Sequence, residues 1–321
     1  PNDKITVVAN PDYWGEAPKI KTVVFRAIPD NSARFLELKA GTIDGMEGAN
    51  PDDIAVAEKD PNLQVVWRPA FNVGYLGINM AMEPFDDVRV RKAIAYAIDK
   101  KAIVEGLLRN TGIVAINPLP PNVWSYTEDV KIYDYNPQLA KQLLAQAGYP
   151  NGFTVEFWVP ESGSGMQQPV EMATAIQAYL AQVGITAKIQ TWEWGTYLDK
   201  VFQPDYNQVA EMHEMSWIMD NGDPDNFLYI LLSGEQWPPA GFNDAFYKNE
   251  KVDTLLAQAR RELDQEKRKS LYIEAQKLIC EDSPWVWIDH AYEIFVMKAG
   301  IQGFVFQPTQ GILRFERVTV E

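Results

Sequence analysis

The sequence is short of the residues on which most protein chemistry depends. Its 321 residues include one cysteine, Cys280, and two histidines, His213 and His290. A single cysteine excludes an internal disulfide, although it does not exclude export. Neither histidine has a second His or a Cys at metal-ligand spacing, and His213-Glu214 lacks the second His of a zinc-protease helix. Cys280 sits beside Ile279 late in a helical pattern, where a small buried apolar role is the default. No serine lies in a G-x-S-x-G elbow. The loop from Pro160 to Pro169 holds Ser162, Gly163, Ser164 and Gly165, but no Gly-Lys-Ser/Thr ending follows, so it is not a phosphate-binding loop. The sequence therefore points to no catalytic residue, no metal ligand and no cofactor.

Positive charge is also scarce. Twenty-nine Lys and Arg face 44 Asp and Glu, for a net charge of −15. Nucleic acid is a poor partner for such a chain, because binding it needs cations on phosphates. No apolar run reaches the roughly 18 residues of a membrane span, and no signal-peptide pattern is present. The chain opens on Pro1-Asn2-Asp3-Lys4 without an initiating Met, which leads to the expectation that it starts inside a longer product.

What remains is globular in composition: 46% hydrophobic and 23% charged, which disfavours disorder. Strands are expected at Ile5–Ala9, Val23–Ile28, Thr42–Met46, Leu63–Arg68 and Asn72–Met80. Helices are expected at Ser32–Lys39, capped by Asn31 or Ser32 and closed by Ala40-Gly41, and at Asn50–Glu58. Asp86 is expected to cap a helix with Val90, Ile94, Ala97 and Ile98 on one stripe and its arginines solvated or paired. Further on, a helix from Asn136-Pro137 to Ala147, a strand Phe153–Val159, a helix Val170–Val183 and a strand Ile185–Trp192 follow one another. This alternation argues for an α/β layer with largely parallel pairing. Two helices, Asn249–Leu263 and Asp264–Glu281, precede a long strand Trp285–Met297, and short strands are expected in the tail.

The centre of the sequence is M-S-W-I-M-D-N-G-D-P-D-N-F, Met215 to Phe227. An apolar run from Val209 to Met219 reads as a strand with a buried face. It breaks at Asp220-Asn221-Gly222-Asp223-Pro224, residues that favour a turn. A short helix follows, with Asp225 as its cap. Asp220 thus falls just past the carboxyl end of a strand, where α/β sheets bind ligands. Trp217 offers a flat apolar wall beside it. The strand ends at Val159 and Trp192 are expected to open toward the same crevice, with Trp192 or Trp194 lining it.

The string from Trp217 through Asp220-Asn221-Gly222-Asp223-Pro224-Asp225-Asn226-Phe227 resembles the signature of family 5 extracellular solute-binding proteins, the peptide, dipeptide, glutathione and nickel receptors of ABC importers. N-P-D-Y-W-G from Asn10, V-V-F-R-A-I-P-D from Val23, L-K-A-G-T-I-D-G from Leu38 and F-D-D-V-R-V-R-K-A-I-A-Y-A-I-D-K from Phe85 resemble the same family. The resemblance spans essentially the whole chain. It implies an α/β, two-lobed, periplasmic-binding-protein-like (class II) architecture that closes by a hinge. On that basis residues 1–74 and 294–321 would be part of a first lobe lacking its N-terminal half, and residues 75–293 a complete second lobe. An incomplete first lobe would leave apolar surface exposed, through which a dimer is expected.

The resemblance also implies that Asp220 holds a ligand's α-ammonium group, with Trp217, Asn221 and Trp192 as further contacts. The ligand would be a peptide or peptide-like solute, the partner an ABC-importer permease, and the location periplasmic or cell-surface. Two departures stand out. Dipeptide-type relatives hold the ligand carboxylate with an Arg in the loop after the Phe153–Val159 strand, yet no Lys or Arg occurs between Lys141 and Lys188. Oligopeptide-type relatives carry a basic residue where this chain has Glu214. The segment from Gln236-Trp237-Pro238-Pro239 through Phe242-Asn243 to Ala245-Phe246-Tyr247 is closer to glutathione receptors. A competing reading is a carboxylate-based glycoside hydrolase or a sugar-binding protein, since acidic residues abound and ten tryptophans would suit a sugar. A third reading makes the second lobe a docking surface for a partner.

Overall fold

The computed structural model describes residues 4–203, 210–309 and 313–321. Val209 and Ile312, which the sequence reading places in strands, lie outside the described residues. The chain divides into two compact units, residues 70–291 and residues 1–69 with 292–321.

The larger unit is built on a mixed sheet. Its central strand, Asn72–Ile78, is buried at every position, as expected for a strand covered on both faces. It pairs antiparallel with Met212–Ile218 on one side and with the first half of the long strand Trp285–Lys298 on the other. Thr154–Pro160 then runs parallel both to Met212–Ile218 and to Thr186–Trp192. Among the described residues parallel pairing is thus confined to these three strands, a correction to the largely parallel sheet expected. The alternating strand-helix order holds only between residues 154 and 192, and the other neighbours come from distant parts of the chain.

Helices cover both faces. Val88–Ala97, Pro137–Gln146 and Pro169–Gln182 pack around Leu76, Ile78, Phe157 and Val159. Trp194–Val201, Asp225–Leu232, Glu250–Ala259 and Gln265–Asp282 pack around Tyr75, Trp158, Met215 and Trp285. The second set builds the site described below.

Three caps fall one or two residues from their expected positions. Asp30, not Asn31 or Ser32, accepts from the Ala33 amide at 2.6 Å. Asp87, not Asp86, accepts from Arg89. Asp225 opens its helix rather than capping it, because Pro224 occupies the cap. A neighbouring oxygen in an extended backbone does the same job in the first two cases. Arg91, expected to be solvated or paired with an acid, is instead buried, and its guanidinium donates to the main-chain carbonyls of Phe85, Asp86 and Asp282. Those carbonyls satisfy its donors without a counter-charge.

In the smaller unit, the second half of the long strand pairs antiparallel with Leu63–Pro69 and with Gly45–Glu47. Helices Asn31–Ala40 and Pro51–Ala57 close a small core of Phe35, Leu38, Ile54 and Val296. Among the described residues Lys4–Val8 pairs only with Thr22–Arg26, and it is exposed throughout, as is Trp14.

Candidate functional site

The site is the turn that follows strand Met212–Ile218. Alternation sends Met215 and Trp217 to the face carrying the later helices. The chain leaves the sheet after the Met219 amide donates to the Phe71 carbonyl at 2.8 Å. Two side-chain oxygens then bend it. Asn221 Oδ1 accepts from the Asp223 amide, and Asp223 Oδ1 from the Asp225 amide, each at 3.0 Å. Gly222 between them has φ +69°, and a Cβ there would press on the Phe71 ring, so only glycine suits the position.

Asp220 lies exposed at the tip of this strand. Its neighbours Asp223 and Asp225 are already neutralised. Arg268 grips Asp223 with both terminal nitrogens, at 2.6 and 2.8 Å. It also donates to the Tyr272 hydroxyl. Arg260 lies 3.3 Å from Asp225 and 3.8 Å above the Tyr229 ring. Burial pushes the Asp225 carboxyl upward, with Arg260 opposing, while the hydrogen bonds to Asp223 push the Arg268 guanidinium upward. Asp220 alone of the three has no cationic partner among the described residues. It is held by Asn226, buried in the first turn of the next helix, whose Nδ2 donates to Asp220 Oδ2 at 3.2 Å. Trp217 Nε1 donates to the Oδ1 of the same Asn226 at 3.3 Å. A carboxylate fixed in this way, with lone pairs still free, can accept from a ligand ammonium.

Aromatic rings extend from this point. Trp217 meets Phe242 at 5.4 Å between centroids, and Phe242 meets Phe202 at 5.2 Å. Phe202 follows the helix Trp194–Val201. Trp192, the last residue of its strand, stands edge-on to Trp158 at 5.9 Å. Trp194 instead opens the next helix and stacks on Tyr197. The segment from Gln236 to Tyr247 is tied internally: Trp237 Nε1 and Asn243 Nδ2 both donate to the Tyr247 carbonyl. It presents Phe242 toward Trp217.

Thus Asp220, Asn221 and Trp217 come together in one turn, and Trp192 lies on the same face of the sheet, two strands away. The side-chain oxygen of Asn221 is committed to the turn. Sequence reading missed Asn226 as the holder of Asp220. The available signal was the amide residue that stands directly before the apolar run F-L-Y-I-L-L.

The opposite face carries buried acids. Glu214 alternates away from Trp217, is fully buried, and among the described residues has no hydrogen-bond partner for either carboxylate oxygen. Desolvation first, then Asp289 and Glu171, push its carboxyl well above the ordinary range. Asp289 is pushed by burial to about 7. Gly74, beside it in the strand register, leaves room for its carboxylate. The loop before Pro169 closes over this region: Ser216 Oγ donates to the Ser164 carbonyl and Asn72 Nδ2 to the Gly165 carbonyl. Glu214 therefore stands inside the protein at the position where the oligopeptide-type resemblance puts a basic residue.

The sequence model of the bacterial extracellular solute-binding proteins, family 5, matches residues 1–239. The chain belongs to this family. The dipeptide-binding protein of Escherichia coli is 36% identical over 324 residues, covering all of this chain and 59% of that protein. Heme-binding protein A of Haemophilus influenzae is 36% identical over 310 residues, covering 95% of this chain and 55% of that protein. The chain thus spans a little over half the length of these relatives. Among solved structures, the periplasmic binding protein DppA of Helicobacter pylori, in complex with the peptide STSA, matches all of this chain and 61% of its own. Its TM-score is 0.91 at 34% identity. A dipeptide-binding protein of Pseudoalteromonas in complex with Met-Leu gives 0.90 at 26%, covering all of this chain and 62% of its own. The α/β binding-protein fold is thereby established, and none of these family members is described as a glycosidase.

Proposed function

We propose that this protein is an extracytoplasmic receptor that captures a peptide-like solute and hands it, unchanged, to an ABC-importer permease. The unit of residues 70–291 is read as a complete second lobe, and the other unit as part of the first. Capture is by hinge closure around the solute, at the cell surface or in the periplasm, on a lipid anchor or free. The α-ammonium group of the solute pairs with Asp220, Trp217 packs beside it, and Asn221 and Trp192 border the same opening.

One observation carries this reading: among the described residues Asp220 is the acid of its turn left without a cation, exposed yet fixed by Asn226. A buried carboxylate–ammonium pair is favourable only when its remaining oxygens are hydrogen-bonded, and Asn226 supplies that bond. The relatives named for dipeptides and the structures holding STSA and Met-Leu support a peptide.

The test is thermal shift of the full-length protein with alanine di- to pentapeptides. Stabilisation by peptide in the wild type, absent in Asp220→Ala, is expected. Saturation by haem with indifference to every peptide would contradict the proposal.

A further inference from the structure

Among the described residues, three acids of the larger unit are buried: Glu214, Asp244 and Asp289. Asp244 has partners, accepting from the Tyr75 hydroxyl at 3.0 Å and facing His213 Nε2 at 3.0 Å. The side chains of Glu214 and Asp289 have neither a hydrogen bond nor a cation among the described residues. A buried carboxyl left in that condition is costly. We propose that Glu214 and Asp289 form a subsite for a guanidinium group carried by the solute, roofed by the loop from Ser162 to Gln168. This rests on the peptide reading above and deepens it, naming arginine-bearing peptides as the solute class.

Glu214 pairs with Leu76 across one edge of the central strand Asn72–Ile78, and Asp289 pairs with Gly74 across the other. Leu76 and Gly74 are two residues apart, so both acids stand on one face of the sheet. Gly74 puts no side chain between them; a Cβ there would lie 2.3 Å from Asp289 Oδ1. The charges that act on Glu214 are Asp289 and Glu171, from the first turn of helix Pro169–Gln182, and both are acids. His290, beside Asp289, turns its Nδ1 to the Asn72 carbonyl, and the buried Lys100 donates to the Ala115 carbonyl. The roof meets this face through Ser216 Oγ, which donates to the Ser164 carbonyl, and through Asn72 Nδ2, which donates to the Gly165 carbonyl at 3.4 Å. Gly163 and Gly165 give the loop the backbone freedom to lift. Asp289 keeps 6% exposure, so the pair is not sealed into the core.

Two carboxyl groups on either side of a strand offer four oxygens spread wider than a compact ammonium spans. A guanidinium carries five N–H donors in a planar fork and pairs with carboxylates bidentately. No group of three His, Cys, Asp or Glu suited to a metal ion occurs among the described residues, which favours an organic cation. In the unliganded protein burial keeps protons on both carboxyls. A guanidinium favours their charged forms, so its entry releases protons. Glu214 lies six residues before Asp220. That is at most about 20 Å of extended chain, a span for a short peptide and one arginine side chain.

The experiment is calorimetric titration of the full-length protein with tri-alanine and with tripeptides carrying arginine, or its neutral isostere citrulline, at each position in turn. Wild type is expected to prefer arginine over citrulline by about tenfold or more at one position. At about pH 6 the arginine peptide alone should release protons, read from the dependence of the binding heat on the buffer. Glu214→Gln with Asp289→Asn should bring arginine affinity to within about threefold of citrulline and abolish the proton release. Asp220→Asn should weaken both peptides alike and keep the preference. L-Arginine separates a free solute from a side chain: binding of it that needs both acids, with no peptide bound, keeps the subsite and overturns the peptide reading. Tri-alanine binding without any arginine preference overturns the subsite and leaves the peptide reading standing, as does a preference that survives the double variant. Loss of all peptide binding in the double variant and in both single variants assigns the acids to structure and overturns the subsite. If neither peptide nor arginine binds the wild type, both readings fall.

Discussion

Asn226 holds Asp220 from two sides: its Oδ1 accepts from the Asp220 amide at 3.1 Å while its Nδ2 donates to Asp220 Oδ2 at 3.2 Å. Because Trp217 Nε1 donates to the same Oδ1, one amide group sets both the carboxylate and the aromatic wall. Asn226→Ala is therefore expected to weaken peptide binding about tenfold, the worth of a hydrogen bond to a charged group, without removing any residue assigned to the solute. Asn226→Asp, which puts a second carboxylate against Asp220, should weaken it further. Titration of both variants checks this; unchanged affinity in both would remove Asn226 from the account.

Arg268 and Asp223 form the two-pronged pair that pins the far side of the turn. Both are partly shielded, so their coupling is expected to be about 1 kcal/mol, at the upper end for surface pairs. A double-mutant cycle with Arg268→Met and Asp223→Asn measures it. The single variant Arg268→Met should also reduce peptide affinity, since Asp223 would then be free to compete with Asp220 for the ammonium.

Stability should fall as pH rises from 5 to 8. Asp289 carries its proton up to about 7 in the folded state, against about 3.9 in an unfolded chain. Between those values the folded state holds a proton that the unfolded state has released, so raising the pH favours unfolding. The contribution is complete below the unfolded value and is lost as pH passes the folded one. Glu214, shifted in the same direction, adds to the slope. Asp289→Asn with Glu214→Gln should flatten melting temperature against pH over this window, with a gain of a few kcal/mol near pH 8. An unchanged slope in the double variant would show that these carboxyls are not the source.

Gly77→Ala should destabilise the fold by about 1–3 kcal/mol through overpacking. A Cβ at Gly77 would lie inside contact distance of the His213 ring. That ring is fully buried, with Nε2 3.0 Å from the Asp244 carboxylate, so it has nowhere to go. Chemical denaturation measures the loss; a neutral substitution would mean that the ring can shift.

Sequence reading located the turn because turn chemistry is local: Asn221, Gly222 and Pro224 act within a few residues of themselves. It placed most elements for the same reason, since strand and helix periodicity are written in adjacent residues. Strand pairing is not local. Asn72–Ile78 pairs with partners well over a hundred residues away, and nothing in its own residues states that the pairing is antiparallel. The pairings of Arg268 and Arg260 were hidden for the same reason: about 40 residues separate each arginine from its acid. Asp30 and Asp87 were missed as caps because several oxygen-bearing residues stand side by side there, and backbone geometry chooses between them. Glu214 reads as an ordinary acidic break in an apolar run; only alternation across the finished sheet buries it.

The most direct measurement compares one alanine tripeptide with its N-acetylated form, titrated calorimetrically into wild type and Asp220→Asn. Acetylation removes the ammonium group and leaves the rest of the ligand unchanged. The account predicts that wild type loses tenfold or more in affinity on acetylation, whereas Asp220→Asn binds the two forms within about threefold of each other. Equal binding of both forms by wild type, or a full acetylation penalty surviving in Asp220→Asn, would contradict it.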